Sequence, residues 1–110
     1  MKKIEQWMIE QIHTCLDRSC DNHSASKFNT SVHACGSGVR YTPGYERWIE
    51  VKLNGELIAA IYPFTSRISI YDADGIINRS RINAIFREFA LSMRIEKRDN
   101  RIMIIDKHRM

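Results

Sequence analysis

The dipeptide Asn54-Gly55 stands between two runs of alternating apolar and polar residues, RWIEVKL before it and ELIAAIY after it. A two-residue type I′ turn needs positive φ at both central positions, and Asn followed by Gly meets that need at the least steric cost. Such a turn joins antiparallel neighbours, so a chain with this segment folds around an antiparallel pair. The turn also sets a register. Counting outward from it places Val51 opposite Ile58 and Ile49 opposite Ala60. Ile49, Val51, Leu53, Ile58, Ala60 and Tyr62 then share one face, while Trp48, Glu50 and Lys52 share the other with Leu57, Ala59 and Ile61. Pro63 ends the second strand, because proline has no ladder donor to offer.

The flanking segments extend the pattern. Residues 28–35 alternate, with Phe28, Thr30, Val32 and Ala34 on one side and Asn29, Ser31, His33 and Cys35 on the other. Gly36, Gly38, Pro43 and Gly44 mark residues 36–44 as loop. Arg67 to Tyr71 reads as a further strand with Ile68 and Ile70 inward. The period becomes helical twice. In Lys3–Leu16 the residues Ile4, Met8, Ile12, Cys15 and Leu16 fall on one stripe, with Glu5, Gln6 and Glu10 away from it. Acidic residues near the start of that helix suit its dipole. The polar run from Asp17 to Lys27 should follow the helix. The spacing of Ile82, Ile85, Phe86, Phe89, Ala90 and Met93 predicts a second helix, with Asn78 as N-cap and an end near Met93. Arg79, Asn83 and Arg87 lie four apart on a different, exposed stripe. MRIEKRDNRIMIID reads as a hairpin turning at Asp99-Asn100, or as a last strand after an irregular stretch.

The expected fold class is therefore α+β: an antiparallel sheet of three or four strands, an N-terminal helix and a second amphipathic helix packed on one face, then two short strands. The expectation is a single α+β domain over residues 1–110. The other sheet face stays partly open, with Trp48 on it. Of the 110 residues, 44% are apolar, enough for a proper core.

The formal charge is +4 and the isoelectric point about 9.2. That is compatible with a nucleic-acid or an acidic-protein partner and diagnostic of neither. Glu5, Glu10 and Gln11 break any apolar run in residues 1–16, so no signal peptide is expected. No stretch approaches the roughly 18 apolar residues of a membrane span. The expected location is cytoplasmic, where the three cysteines stay reduced.

FNTSV at Phe28–Val32, VKLNGELIAAI at Val51–Ile61 and NRSRINAIF at Asn78–Phe86 stand in that order along the chain. Together they resemble a loose group of small bacteriophage and prophage accessory proteins. Members of that group carry an N-T-x-V strand, a Leu-x-Gly-x-x-Ile-Ala hairpin and a helix opening with Thr/Ser-x-Arg-Leu-Asn-Ala. Here Ile82 replaces the usual Leu, and Gly55 comes straight after Asn54. The resemblance covers roughly the middle half of the chain. It implies a phage-encoded protein acting in the cytoplasm of an infected bacterium, and such proteins commonly bind and redirect host machinery. It implies no established enzymatic activity and transfers no catalytic residue.

The segment CLDRSCDNHSASKFNTSVHAC, residues 15–35, holds all three cysteines and two of the four histidines. Zinc needs four such ligands in a tetrahedron, and Cys20, His23, His33 and Cys35 could supply them. No Cys-x2-Cys knuckle is present, and Cys15 belongs to the apolar stripe of the first helix. The expectation is a structural cluster without metal. His33 and Cys35 point the same way, but a nucleophile needs an orienting group and an oxyanion hole that no motif announces. Asp72 with Asp74, and Glu46 with Glu50, lack metal or glycosidase spacing. No phosphate-binding glycine motif and no cofactor motif occurs.

These readings point to a non-enzymatic inhibitor or modulator. Its expected partner is a host protein complex, such as a CRISPR–Cas effector, a restriction system or another defence enzyme. The alternative is a small nucleic-acid-binding accessory factor in phage replication or transcription. The expected partner-binding residues are Arg79, Arg81, Asn83, Arg87 and Arg94 on and after the second helix, because arginine offers planar bidentate bonds to carboxylates and phosphates. Trp48 and Tyr45, on or near the open sheet face, are the second choice. The sequence sets no oligomeric state.

Overall fold

The computed structural model of the chain describes residues 2–18, 23–38 and 42–106. The elements run α1 (Lys3–Arg18), β1 (Ser24–Lys27), β2 (Thr30–Ser37), β3 (Glu46–Leu53), β4 (Glu56–Tyr62), β5 (Arg67–Ile70), α2 (Ile76–Phe89), β6 (Met93–Arg98) and β7 (Arg101–Asp106). Strands β1 to β5 form one antiparallel sheet in sequence order, and β6 with β7 forms a separate two-stranded ribbon. The α+β class stands as expected, with a sheet one strand larger. The extra strand is β1, which lies inside the polar run Asp17–Lys27. Its sequence, SASK, carries no apolar alternation that would reveal it.

Helix α1 packs against β2, α2 packs against β4 and β6, and the helices pack on each other. The core they enclose joins Met8, Ile12 and Cys15 of α1 to Ile82, Ile85 and Phe86 of α2. Val32, Ala34, Ile49, Val51, Ile58, Ala59 and Ile61 close it from the sheet, and Ile95 from β6. Burying such side chains is the main favourable term in folding. Ile68 and Ile70 pack against this core as expected.

The Asn54-Gly55 turn forms with φ of +53° and +80°, as a type I′ turn requires. Asp99-Asn100 repeats the device with φ of +51° and +64°, so the C-terminal segment is a hairpin. A Cβ at Gly55 would meet nothing within 4 Å, so only backbone strain opposes a side chain there. Gly55→Val should therefore cost more than about 1 kcal/mol. That corresponds to a melting midpoint lower by at least about 4 °C. An unchanged melting curve would refute the turn's role.

The register beyond the turn differs from the count. Val51 lies opposite Ala59 and Ile49 opposite Ile61, with a shift between Val51 and Lys52. Ile58 is the extra residue of a β-bulge, and its carbonyl accepts bonds from the backbone N–H groups of Tyr71 (2.9 Å) and Asp72 (3.4 Å). The bulge turns Ala59 and Ile61 to the core and Ala60 and Tyr62 to the outer face, the reverse of the expectation. Ile58 itself remains in the core.

Other boundaries also move. Helix α1 continues through Arg18 and β2 through Ser37. Phe28 belongs to the β1–β2 turn, at φ +52° and almost fully exposed, rather than to the buried strand face. Helix α2 starts after Gly75 without a side-chain cap and ends at Phe89, its last carbonyls tightened by Ala90 N–H donating to Phe86 O. Asn78 instead donates from Nδ2 to the Asp72 carbonyl at 3.1 Å. Met93 starts a strand.

Candidate functional site: the open face of the sheet

The arginine side of α2 is spent on structure. Arg81 is only 5% exposed and Glu5 only 1%, both against the expectation that they face solvent. Glu5 Oε2 accepts from Ser80 Oγ at 2.5 Å and from Arg81 Nη1 at 3.0 Å. Arg81 Nε donates to Thr30 Oγ1 at 3.2 Å, and Thr30 Oγ1 donates to Asn29 Oδ1 at 3.1 Å. The Asn29 carbonyl accepts from Asn54 N–H at 2.7 Å. One chain of bonds thus runs from α1 through α2 and the β1–β2 turn to the β3–β4 hairpin. It ties Asn29-Thr30, Asn54 and Ser80-Arg81, one piece from each of the three segments quoted above.

The neighbouring residues are also committed. Arg79 Nη1 donates to the carbonyls of Ala73 (2.9 Å) and Asp74 (2.6 Å). Asn83 donates from Nδ2 to Ile95 O at 2.9 Å and accepts from Ile95 N–H at 2.8 Å, fastening β6 to α2. Arg94 and Arg98 both pair with Glu96. Arg87 is exposed but lies 3.9 Å from Glu5. His13 meets Glu88 at 2.7 Å and packs its ring on Phe89. Among the described residues carboxylates are thus interleaved with the cations, with no concentrated basic patch on this side. Arg47 is a further arginine turned inward. It lies on the core side of β3 and donates from Nη2 to the Cys15 carbonyl at 2.5 Å. There its charge lies against a carbonyl in the last turn of α1, at the negative end of the helix dipole.

The outer face of the sheet is different. Cys35 lies opposite Trp48 and Tyr62 opposite Arg67, and Trp48 stacks on Tyr62 with ring centroids 6.2 Å apart. These four side chains form a row straight across β2, β3, β4 and β5. The Arg67 guanidinium sits 4.3 Å from the Tyr62 ring centroid, within cation–π range. Tyr62 and Tyr71 meet hydroxyl to hydroxyl at 3.3 Å. That bond, with burial, raises the Tyr62 phenol above its ordinary value, against the pull of Arg67. Trp48 Nε1 donates to Glu50 Oε2 at 3.1 Å. The next row across the sheet is His33, Glu50, Ala60 and Ser69. Tyr45 sits just before β3, tilted against Phe64 with centroids 6.0 Å apart, beside a cleft shared with Arg47 and Tyr62. The second-choice residues thus belong to, or border, an aromatic surface that also includes Tyr62, Tyr71 and Arg67. Tyr62 reaches this face only through the bulge at Ile58, which no residue type in the sequence marks.

His33 is exposed on this face and Cys35 half-buried beside it. His23 bonds Gln11 at 2.9 Å, and Cys20 lies outside the described residues. Among the described residues no three His, Cys, Asp or Glu side chains gather in a way that could hold a metal ion. The Cys35 thiol is pushed up to about 11, first by burial and then by the Glu50 carboxylate. At neutral pH it is a thiol, and the thiolate is the nucleophilic form. Alkylation of Cys35 should therefore be slow near pH 8 and accelerate toward pH 11, as peptide-resolved mass spectrometry of iodoacetamide-treated protein would show. The sign for stability follows: the protonated form is favoured in the fold, so this site costs nothing below about pH 9 and destabilises as pH rises through about 11. Rapid alkylation of Cys35 at pH 7 would contradict this environment.

Among the described residues no helix is long and apolar enough to cross a membrane. Comparison of the chain with protein-family models, with curated proteins and with solved structures finds no match.

Proposed function

We propose that the protein is a non-enzymatic binding module that docks the open face of its five-stranded sheet onto a protein partner. The observation that carries this reading is the Cys35–Trp48–Tyr62–Arg67 row with Tyr71 beside it. Trp, Tyr and Arg are the residue types that most often dominate binding energy at protein interfaces. The charges of this face favour a protein over a nucleic acid. Among the described residues of this face Glu46 and Glu50 balance Lys52 and Arg67, leaving no net charge, whereas nucleic-acid binding draws most of its affinity from an excess of cations. Together with the resemblance of the three segments to phage accessory proteins, this supports a phage-encoded modulator that acts in the infected cell's cytoplasm. Its partner is then a host protein complex, with a defence system such as CRISPR–Cas or restriction as the target class.

One observation favours a second reading: aromatic rings on a sheet, with an arginine over one of them, can also stack unpaired bases. Capture from a bacterial lysate with and without nuclease separates the two. The protein reading expects a partner retained after nuclease digestion and lost on Trp48→Ala. Retention only of nuclease-sensitive material would replace it with the nucleic-acid reading.

A further inference from the structure

Among the described residues the C-terminal ribbon has one closed edge and one open edge. At the closed edge the Asn83 amide bonds both the N–H and the C=O of Ile95, taking the place of a neighbouring strand beside β6. This also fixes which backbone groups point where. The ladder pairs Arg98 with Arg101 next to the two-residue turn, and Ile95 with Ile104. Hydrogen-bonded and non-bonded pairs alternate along an antiparallel ladder. Since Ile95 turns its polar groups toward α2, its partner Ile104 turns its own away from β6, and so does Ile102 two residues before. Among the described residues no strand pairs with that side of β7.

Exposed edges invite pairing with another chain, and proteins usually blunt them. The edges of the main sheet follow that rule. β1 is four residues long and polar, ending in Lys27, and β5 is four residues long, opening with Arg67. β7 does not. Its six residues, RIMIID, include no proline, glycine or lysine. Ile102, Met103 and Ile104 are 39%, 43% and 52% exposed, on both faces of the strand.

We infer that β7 is a homodimer interface, in which two copies pair β7 with β7 antiparallel about a two-fold axis into a four-stranded sheet. The free N–H and C=O of Ile102 in one copy bond those of Ile104 in the other, and the reverse, with Met103 facing its own counterpart at the axis. This register keeps the outward groups of both strands matched, and an isologous contact requires such self-complementarity. The charges agree with it. The strand opens with Arg101, closes with Asp106 and is uncharged between. Antiparallel pairing brings the Arg101 end of one copy alongside the Asp106 end of the other, while parallel pairing would set like charges together. The ribbon is attached through α2 and is not part of the main sheet, so this contact makes no use of the Trp48–Tyr62 row.

Light scattering after size exclusion at about 100 μM, far above the Kd of a micromolar dimer, tests the inference. The expected mass is twice the 12.9 kDa of the chain. Ile104→Pro deletes one outward N–H and touches no hydrogen bond to β6, so it should halve the mass. Met103→Lys, which sets two ammonium groups together at the axis, should do the same and serves if the proline variant does not fold. A wild-type mass of 12.9 kDa would overturn the dimer, and is also the result expected if β7 receives a foreign strand instead. A dimer that persists in folded Met103→Lys would place the interface elsewhere and overturn it equally.

Discussion

Glu5→Ala should destabilise the domain by about 3–5 kcal/mol, because it strands a charge that has no water to turn to. Arg81 is as buried as its partner, with side-chain exposures of 6% and 2% for the pair. Without Glu5 its guanidinium keeps only the Thr30 hydroxyl among the side-chain partners described. Ser80 loses its acceptor in the same step. Arg87 cannot compensate, since it is itself a cation and sits near the same carboxylate. A loss of this size is a large part of the roughly 5–15 kcal/mol that holds an ordinary domain together. Urea titration followed by circular dichroism measures it. The paired replacement Glu5→Leu with Arg81→Met removes both charges and fills similar volume, so it should be near neutral or stabilising. A loss below about 1 kcal/mol for Glu5→Ala would mean that Arg81 reaches water, against its burial.

Trp48→Ala should weaken partner binding by at least about thirtyfold, close to 2 kcal/mol, the size of an interface hot spot. Trp48 lies at the middle of the row, between Cys35 and Tyr62, on a central strand whose opposite face is fixed by Ile49 and Val51 in the core. Its ring is held by Tyr62 and by the bond to Glu50 before any partner arrives. Little side-chain entropy is then lost on binding, and preorganised aromatic area of this kind converts efficiently into affinity. Adding Tyr62→Ala should deepen the loss less than additively, because the two rings stack and share one site. Arg79→Glu with Arg87→Glu tests the arginine side of α2 in the same titration. It should leave affinity within about threefold, since Arg79 bonds its own chain and Arg87 sits among carboxylates. Full binding by folded Trp48→Ala, with loss in the double arginine variant, would return the site to α2.

The helices and hairpins were legible because their signals are local. The apolar stripe of α1, the Asn54-Gly55 and Asp99-Asn100 turns and the inward Ile68 and Ile70 each follow from spacing within one element. The bulge at Ile58 was not legible. LIAAI contains no polar residue to say which of its side chains face out, so counting from the turn ran through the extra residue and inverted Ala59 to Tyr62. β1 was missed because SASK takes its identity from the strand beside it. Glu5 and Arg81 were misplaced for a different reason. Each is a charged residue, and charged residues are almost never buried unless paired. The partner is 76 positions away, so no local pattern could reveal it. The segments that carry the family resemblance proved to be fold chemistry, joined by one hydrogen-bonded chain. That is why Arg81 and Asn83 in them are poor candidates for binding, and why the surface outside them, on the far side of the sheet, is the better one.

Hydroxyl-radical footprinting of the complex with the captured partner tests the central claim most directly, since it reads aromatic side chains one by one. The account predicts that Trp48, Tyr62 and Tyr71 lose reactivity on binding, while Ile76 and Ile77 at the exposed start of α2 keep theirs. Protection of Ile76 and Ile77, with Trp48, Tyr62 and Tyr71 unchanged, would contradict it.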